Sequence, residues 1–201
     1  MYDRVAVLVL LLAVGSDSVS PLEARVRNKP RLSFVSGRHT IELSSQMIVA
    51  IRRFDTSFKL WSDEDYLPSI HSYYRYTDRQ SPFAVLGDVN GDGRIDAILD
   101  GLTDSHSVLI AVLSKAGRYR VQVIHSWDLA NPRSNRYSPD SSLEHGKDSF
   151  LAYCRPRRIT SPYEKAPLTL RNDAFVLIHA ERASSVYYYR KGRFRTFTTS
   201  D

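Results

Sequence analysis

Three rhythms of apolar and polar positions follow one another along the chain. Residues 5–14, VAVLVLLLAV, are wholly apolar and come directly after Arg4. That run is too short to span a hydrocarbon layer of roughly 20 helical residues, but it suits the core of a secretory signal peptide. Small residues at Ala13-Val14-Gly15, Ser18-Val19-Ser20 and Leu22-Glu23-Ala24 offer cleavage points. Residues 1–24 therefore read as a leader, and residues 25–201 as one α+β domain. No second long apolar run follows Gly15, so no membrane span is expected in the mature chain.

The second rhythm is helical. Residues 42–54, ELSSQMIVAIRRF, place Leu43, Met47, Ala50, Ile51 and Phe54 at three- and four-residue spacing. A further short helix is expected at SDEDYL, with Ser62 as its cap and Asp65 in an acidic first turn. Pro68 either kinks that helix or delays its start. Phe58, Trp61, Tyr66 and Ile70 are assigned to the core of this helical beginning.

From Phe83 the period shortens to two. FAVLG, IDAILDG, SVLIAVLS and YRVQVIHS read as successive antiparallel strands, the last two joined by the turn KAGR at Gly117. Four such strands form a meander, the shape of one propeller blade. Residues 130–146 are rich in Pro, Ser and Asn and read as a long surface loop. A strand at DSFLAYCRP stops before Pro156, and a second meander follows: DAFVLIHAE, SSVYYYRK and RFRTFTT, with a tight turn at Lys191-Gly192. The expected class is α+β: short amino-terminal helices, then a mainly antiparallel β-meander that is blade-like without being a complete propeller.

Composition sharpens this picture in two places. The 42% hydrophobic and 25% charged content is that of a packed chain. Cys154 is the only cysteine, which excludes an internal disulfide and any cysteine zinc cluster within one chain. The net charge is +6, and loss of the leader would raise it, because that segment holds Arg4 but also Asp3, Asp17 and Glu23. Such a surplus favours acidic surfaces, nucleic acid or anionic polymers as partners.

Against that basic background, GDVNGDGRID concentrates acid. Counting Asp88 as position one, oxygen-bearing side chains fall at Asp88, Asn90, Asp92 and Asp96, positions one, three, five and nine. Alternate spacing in a tight curl aims them at one centre, while Gly91 and Gly93 permit the curl. Arg94 at position seven can offer its backbone carbonyl. Three carboxylates, an amide oxygen and a carbonyl suit a hard cation, and the expected ligand is Ca2+. Position twelve is Leu99, where an EF-hand requires glutamate, so the loop is not an EF-hand. Asn-Gly and Asp-Gly also make ordinary hairpin turns. Export and calcium agree, since weak calcium modules operate at the roughly millimolar levels found outside cells.

At FAVLGDVNGDGRIDAILDG, residues 83–101, the chain resembles the FG-GAP family, also described as VCBS or integrin-alpha-like repeats. The resemblance implies a calcium-binding β-hairpin with Asp88, Asn90, Asp92, the Arg94 carbonyl and Asp96 as ligands. Family propellers carry several repeats, whereas one is present here. The chain is more similar to small exported bacterial proteins with a single copy. The role of that group is mostly undefined; this chain reads as a secreted or periplasmic, calcium-stabilised module whose role is binding or structural, without catalysis.

Rival chemistry leaves weaker marks. His39, His71, His106, His125, His145 and His179 are scattered, with no HExxH, Gly-x-Ser-x-Gly or phosphate-loop pattern. A calcium-stabilised extracellular hydrolase would need paired acids, for which Asp65, Asp100 and Glu144 are candidates that no spacing singles out. The segments YCRPRR and YYYRKGRFRTF set aromatics beside cations and could bind another protein, an anionic polymer or nucleic acid. Strand alternation explains them more simply, with Tyr187 and Tyr189 inward and Tyr188 and Arg190 outward. Cys154 is expected to be a small buried core residue.

Overall fold

The computed structural model describes residues 29–68, 70, 77–129, 147–179 and 183–200. The expected leader, residues 1–24, and the loop at residues 130–146 lie outside these, as do His71, Glu144 and His145.

A hairpin comes first, β1 (Arg31–Val35) paired with β2 (Arg38–Glu42), followed by helix α1 (Ser45–Phe54). The helix starts three residues later than its periodicity suggests because Glu42 belongs to β2 and Ser44 acts as cap. Ser44 Oγ accepts the Met47 N–H at 3.3 Å, and Arg52 and Arg53 close the last turn, where the helix dipole favours cations. At the second expected helix, Asp63–Asp65 forms a single 3-10 turn, and α-helical geometry is delayed to Pro68. Asp65 Oδ2 accepts both Ser62 N and Ser62 Oγ at 2.7 Å, as an N-terminal capping pair should. Tyr66 is already extended, and helical geometry returns at Pro68 and Ile70.

The remainder is antiparallel β-structure. The central sheet runs β4 (Gln80–Ser81), β5 (Ala84–Gly87), β6 (Asp96–Leu102), β7 (His106–Lys115) and β8 (Arg118–Asp128) in order, with β3 (Lys59–Leu60) paired to the far end of β6. The second sheet has the order β14 (Arg193–Ser200), β13 (Ser184–Arg190), β12 (Ala174–His179), β9 (Ser149–Cys154). A short hairpin, β10 (Arg158–Ile159) with β11 (Leu168–Thr169), stands apart from both. Neither sheet closes into a barrel among the described residues. The hairpins β1–β2, β7–β8 and β13–β14 each turn through two positive-φ residues, Ser36-Gly37, Ala116-Gly117 and Lys191-Gly192. This is the mirror-type turn whose twist matches paired strands.

The layers are stacked. One face of the central sheet, through Ala84, Leu86, Ala97, Leu99, Val108, Ile110 and Val112, packs on Met47, Ala50 and Ile51 of α1 together with Tyr66 and Ile70. The other face, through Val85, Ile98, Leu109, Ala111 and Leu113, packs on Leu151, Phe175, Leu177 and Tyr187 of the second sheet. Burial on both faces explains why β5, β6 and β7 read as nearly continuous apolar runs, a pattern more usual in parallel sheets. The outer face of the second sheet is covered in turn. Cys154, Ala174, Val186 and Phe197 meet Ile159 of β10 and Leu170 just beyond β11. Cys154 is 2% exposed, as a core residue should be, and burial pushes its thiol pKa up.

Phe175, fully buried, faces Val85, Ile98 and Leu109 of the central sheet, while within its own sheet it stacks on Tyr187 at 5.0 Å and meets the edge of Phe194 at 5.9 Å. Phe175→Ala should cost about 3–5 kcal/mol of unfolding free energy in urea titrations. Val35→Ala, at an exposed position on β1, should change it by no more than about 0.5 kcal/mol. Equal effects at the two positions would contradict this layering.

Candidate functional site: the acidic hairpin

The loop between β5 and β6 is closed by the pair Gly87↔Asp96. Gly91 and Gly93 take φ of 81°, the left-handed region needed for the curl. The acidic side chains turn inward, onto the amides of their own loop. Asp88 Oδ1 accepts Gly91 N at 2.8 Å and Asp92 N at 3.0 Å, and its Oδ2 accepts Gly93 N at 2.8 Å. Asn90 Oδ1 accepts Asp92 N and Asp92 Oδ1 accepts Arg94 N, each at 3.0 Å. Asp96, wholly buried, accepts Val89 N at 3.0 Å and Asn90 N at 3.1 Å through Oδ2. A concave array of N–H groups thus offsets much of the repulsion between the acids.

Two residues that the sequence did not flag complete the assembly. Ser114, buried near the end of β7, donates its N–H to Asp96 Oδ1 at 2.7 Å and its hydroxyl to Asp92 Oδ2 at 2.5 Å, while its carbonyl accepts Asn90 Nδ2 at 2.5 Å. It therefore engages three of the four loop side chains. Asp173, just before β12, accepts Asp88 N at 2.9 Å and the Tyr153 hydroxyl at 2.6 Å, and faces Arg79 Nη1 at 3.5 Å. Its neighbour Asn172 lies so close that a Cβ on Gly91 would stand 2.5 Å from Asn172 Nδ2. The second sheet consequently braces the loop of the first. Arg94 keeps its guanidinium outside, 5.4 Å from the centroid of the Tyr119 ring.

These residues fit a hard cation by donor chemistry. Each carboxylate or amide oxygen has about two acceptor directions; backbone N–H groups occupy one at Asp88 Oδ2, Asn90 Oδ1, Asp92 Oδ1 and Asp96 Oδ1, and the Ser114 hydroxyl occupies one at Asp92 Oδ2. The oxygens have not converged, however: among the described residues no three Asp, Glu, His or Cys side chains form a ready metal-holding group. Binding would require the loop to trade some side-chain–amide geometry for coordination.

Two concavities flank the loop and share Asn90. One, of about 840 Å³, lies between residues 167–173 and the β13–β14 turn, with Arg171, Tyr188, Tyr189, Arg190 and Lys191 in its wall. The other, of about 620 Å³, adjoins Asp92, Ser114 and Arg120. Of the rival acids, Asp65 caps its 3-10 turn and Asp100 is buried against Lys147, while Glu144 lies outside the described residues. Three of the histidines have separate partners: His39 contacts Asp63, His106 contacts Ser105, and His125 shares a 2.7 Å hydrogen bond with the Tyr187 hydroxyl. Burial pushes the His125 imidazolium pKa down.

Asp96 carries the electrostatic load. Desolvation pushes its carboxyl from 3.8 up to about 6, Asp92 adds to the rise, and the N–H groups of Ser114, Asn90 and Val89 oppose it. A carboxyl raised by folding contributes stability that is full below the unfolded value and is lost as pH climbs through about 6. In chelator, NMR titration of the Asp96 carboxyl should give a midpoint near 6, and unfolding free energy should fall between about pH 4 and 6 in wild type. That slope should flatten in Asp96→Ala. A midpoint below 4 would refute the desolvated placement.

No family model, curated protein or solved structure matches the chain, and the reading of the hairpin therefore rests on its own geometry.

Proposed function

We propose that the protein is an exported, calcium-binding, non-catalytic binding or structural module in which the ion orders the 88–96 hairpin. The observation that carries this reading is the inward gathering of Asp88, Asn90, Asp92 and Asp96 around two left-handed glycines, braced by Ser114 and Asp173. Asp88, Asn90, Asp92, the Arg94 carbonyl and Asp96 would hold the ion, which would add positive charge to a cluster otherwise balanced by backbone N–H groups and the Ser114 hydroxyl. The FG-GAP-like pattern of residues 83–101 and the consecutive order of β5, β6, β7 and β8 support a single blade-like unit. Export rests on the apolar run at residues 5–14. No helix among the described residues is long and apolar enough to cross a membrane.

Stabilisation by a ligand that binds only the folded state follows mass action, about 2.7 kcal/mol at a hundredfold excess over Kd. Millimolar calcium should therefore raise Tm by several degrees over chelator in scanning calorimetry. Asp92→Ala should abolish the difference. Identical melting of wild type in calcium and chelator would reject the reading.

The larger cavity favours a second reading, capture of an anionic polymer. Arg171, Arg190 and Lys191 stand beside Tyr188 and Tyr189 on its wall, a combination suited to sulfate or phosphate groups on a ring-bearing chain. Heparin, used as the probe, should bind with an affinity that drops steeply with salt, and Arg171→Ala with Arg190→Ala should flatten that slope. Salt-independent binding, or none, would exclude it.

A further inference from the structure

Lys147 and Asp100 form the most deeply enclosed charged contact among the described residues. Each residue is 3% exposed, and Nζ stands 2.5 Å from Oδ2. Asp100 lies on β6, the strand covered on both faces, where its side chain reaches no water. Aromatic walls complete the enclosure. Nζ is 4.9 Å from the Trp61 ring centroid and 5.9 Å from that of Tyr66, whose hydroxyl reaches Asp100 Oδ2 at 3.4 Å and the Pro82 carbonyl at 3.2 Å.

Backbone contacts fix both partners. Lys147 N donates to Asp65 O at 2.7 Å and Leu67 N donates to Lys147 O at 3.0 Å, forming the parallel bridge Tyr66↔Lys147. Asp100 N donates to Phe83 O at 2.9 Å, and Trp61 N donates to Asp100 O at 3.3 Å. Amine and carboxyl are therefore held in contact without water, the condition under which an intramolecular reaction gains most from orientation. One further detail distinguishes this contact from a satisfied ion pair. Asp100 Oδ1 and Trp61 Nε1 are both buried without a completed hydrogen bond, although the indole N–H acts on the Asp100 carboxyl.

We propose that Lys147 and Asp100 are a modification site at which the folded chain closes an internal amide cross-link. Within the pair, proton transfer from the ammonium to the carboxylate gives a neutral amine beside a neutral acid, the form that a dry interior favours. The Nζ–Cγ bond forms and the Cγ–Oδ2 bond breaks. Oδ2 departs as water with two of the three ammonium protons, the amide nitrogen keeps the third, and nothing is oxidised or reduced. Oδ1 becomes the amide carbonyl, placed to accept the waiting Trp61 N–H. Desolvation, which raises the Asp100 pKa, supports the neutral pair. The product replaces a buried ionisable pair with a neutral amide and joins positions 47 residues apart, enclosing β7 and β8 in a covalent loop. A chain with one cysteine cannot make such a closure by disulfide.

Tryptic mapping of folded wild-type protein tests this. The expected product joins peptide 95–115 to peptide 137–157, uncut after Lys147 and lighter than the two together by one water. Lys147→Arg, which keeps the cation but cannot form this amide, should release the first peptide unlinked. Free 95–115 together with cleavage after Lys147 in folded wild type would overturn the proposal. Because the wild-type map decides by itself, failure of the variant to fold would not shield it.

Discussion

Burial of the central sheet on both faces is the constraint from which the other features follow. With α1 on one side and the second sheet on the other, the polar side chains in the middle of β6 and β7 are buried away from solvent. An unsatisfied buried polar atom costs about 1–3 kcal/mol, more if charged. Asp96, Ser114 and the Oδ2 atom of Asp100 accordingly find their partners within the protein. Asp96 receives three backbone N–H groups, Ser114 becomes the latch of the acidic hairpin, and Asp100 is matched by the equally buried Lys147. The two regions of unusual chemistry thus lie toward opposite ends of β6, and both result from placing carboxylates in a dry layer.

The acidic hairpin is also where the two sheets meet. Asp173 links the loop to the second sheet through Asp88 N and Tyr153, and the turn of β13–β14 shares a cavity with Asn90. A change in loop geometry on cation binding would therefore be felt at the cavity wall that carries Arg190 and Lys191. In this arrangement a positively charged groove lies beside an acidic loop, and occupancy of one alters the field at the other. That proximity accounts for a basic chain concentrating acid at one turn without losing its basic surface elsewhere.

Much of this was legible in local pattern. The periodicity of Met47, Ala50 and Ile51 identified α1, short apolar stretches bounded by turn signals identified β5 to β8, and Lys191-Gly192 marked its turn, because each depends only on neighbours in sequence. The extra helical reach at Glu42 failed because Ser44 caps the helix and Glu42 pairs with Arg31. The β1–β2 hairpin was missed although Ser36-Gly37 is a turn signal, since its strands, five residues each, bury mainly Leu32 and show little apolar alternation. Tyr188, expected to face outward, packs against the outer cluster because β10 and β11 cover that face. Ser114 and Asp173 were not legible at all. Their roles depend on strand register and on contacts across 22 and 85 residues, which no periodicity encodes.

The central claim is that the 88–96 hairpin gathers its acids in a loop able to exchange amide contacts for a divalent ion. Heteronuclear NMR of chelated protein titrated with calcium addresses it directly through the amides of Gly91, Asp92 and Gly93, which donate to Asp88. These signals, with Ser114, should move together and saturate at one ion per chain, while those of the β1–β2 hairpin stay in place. Unchanged amide signals in the loop at millimolar calcium would contradict the account.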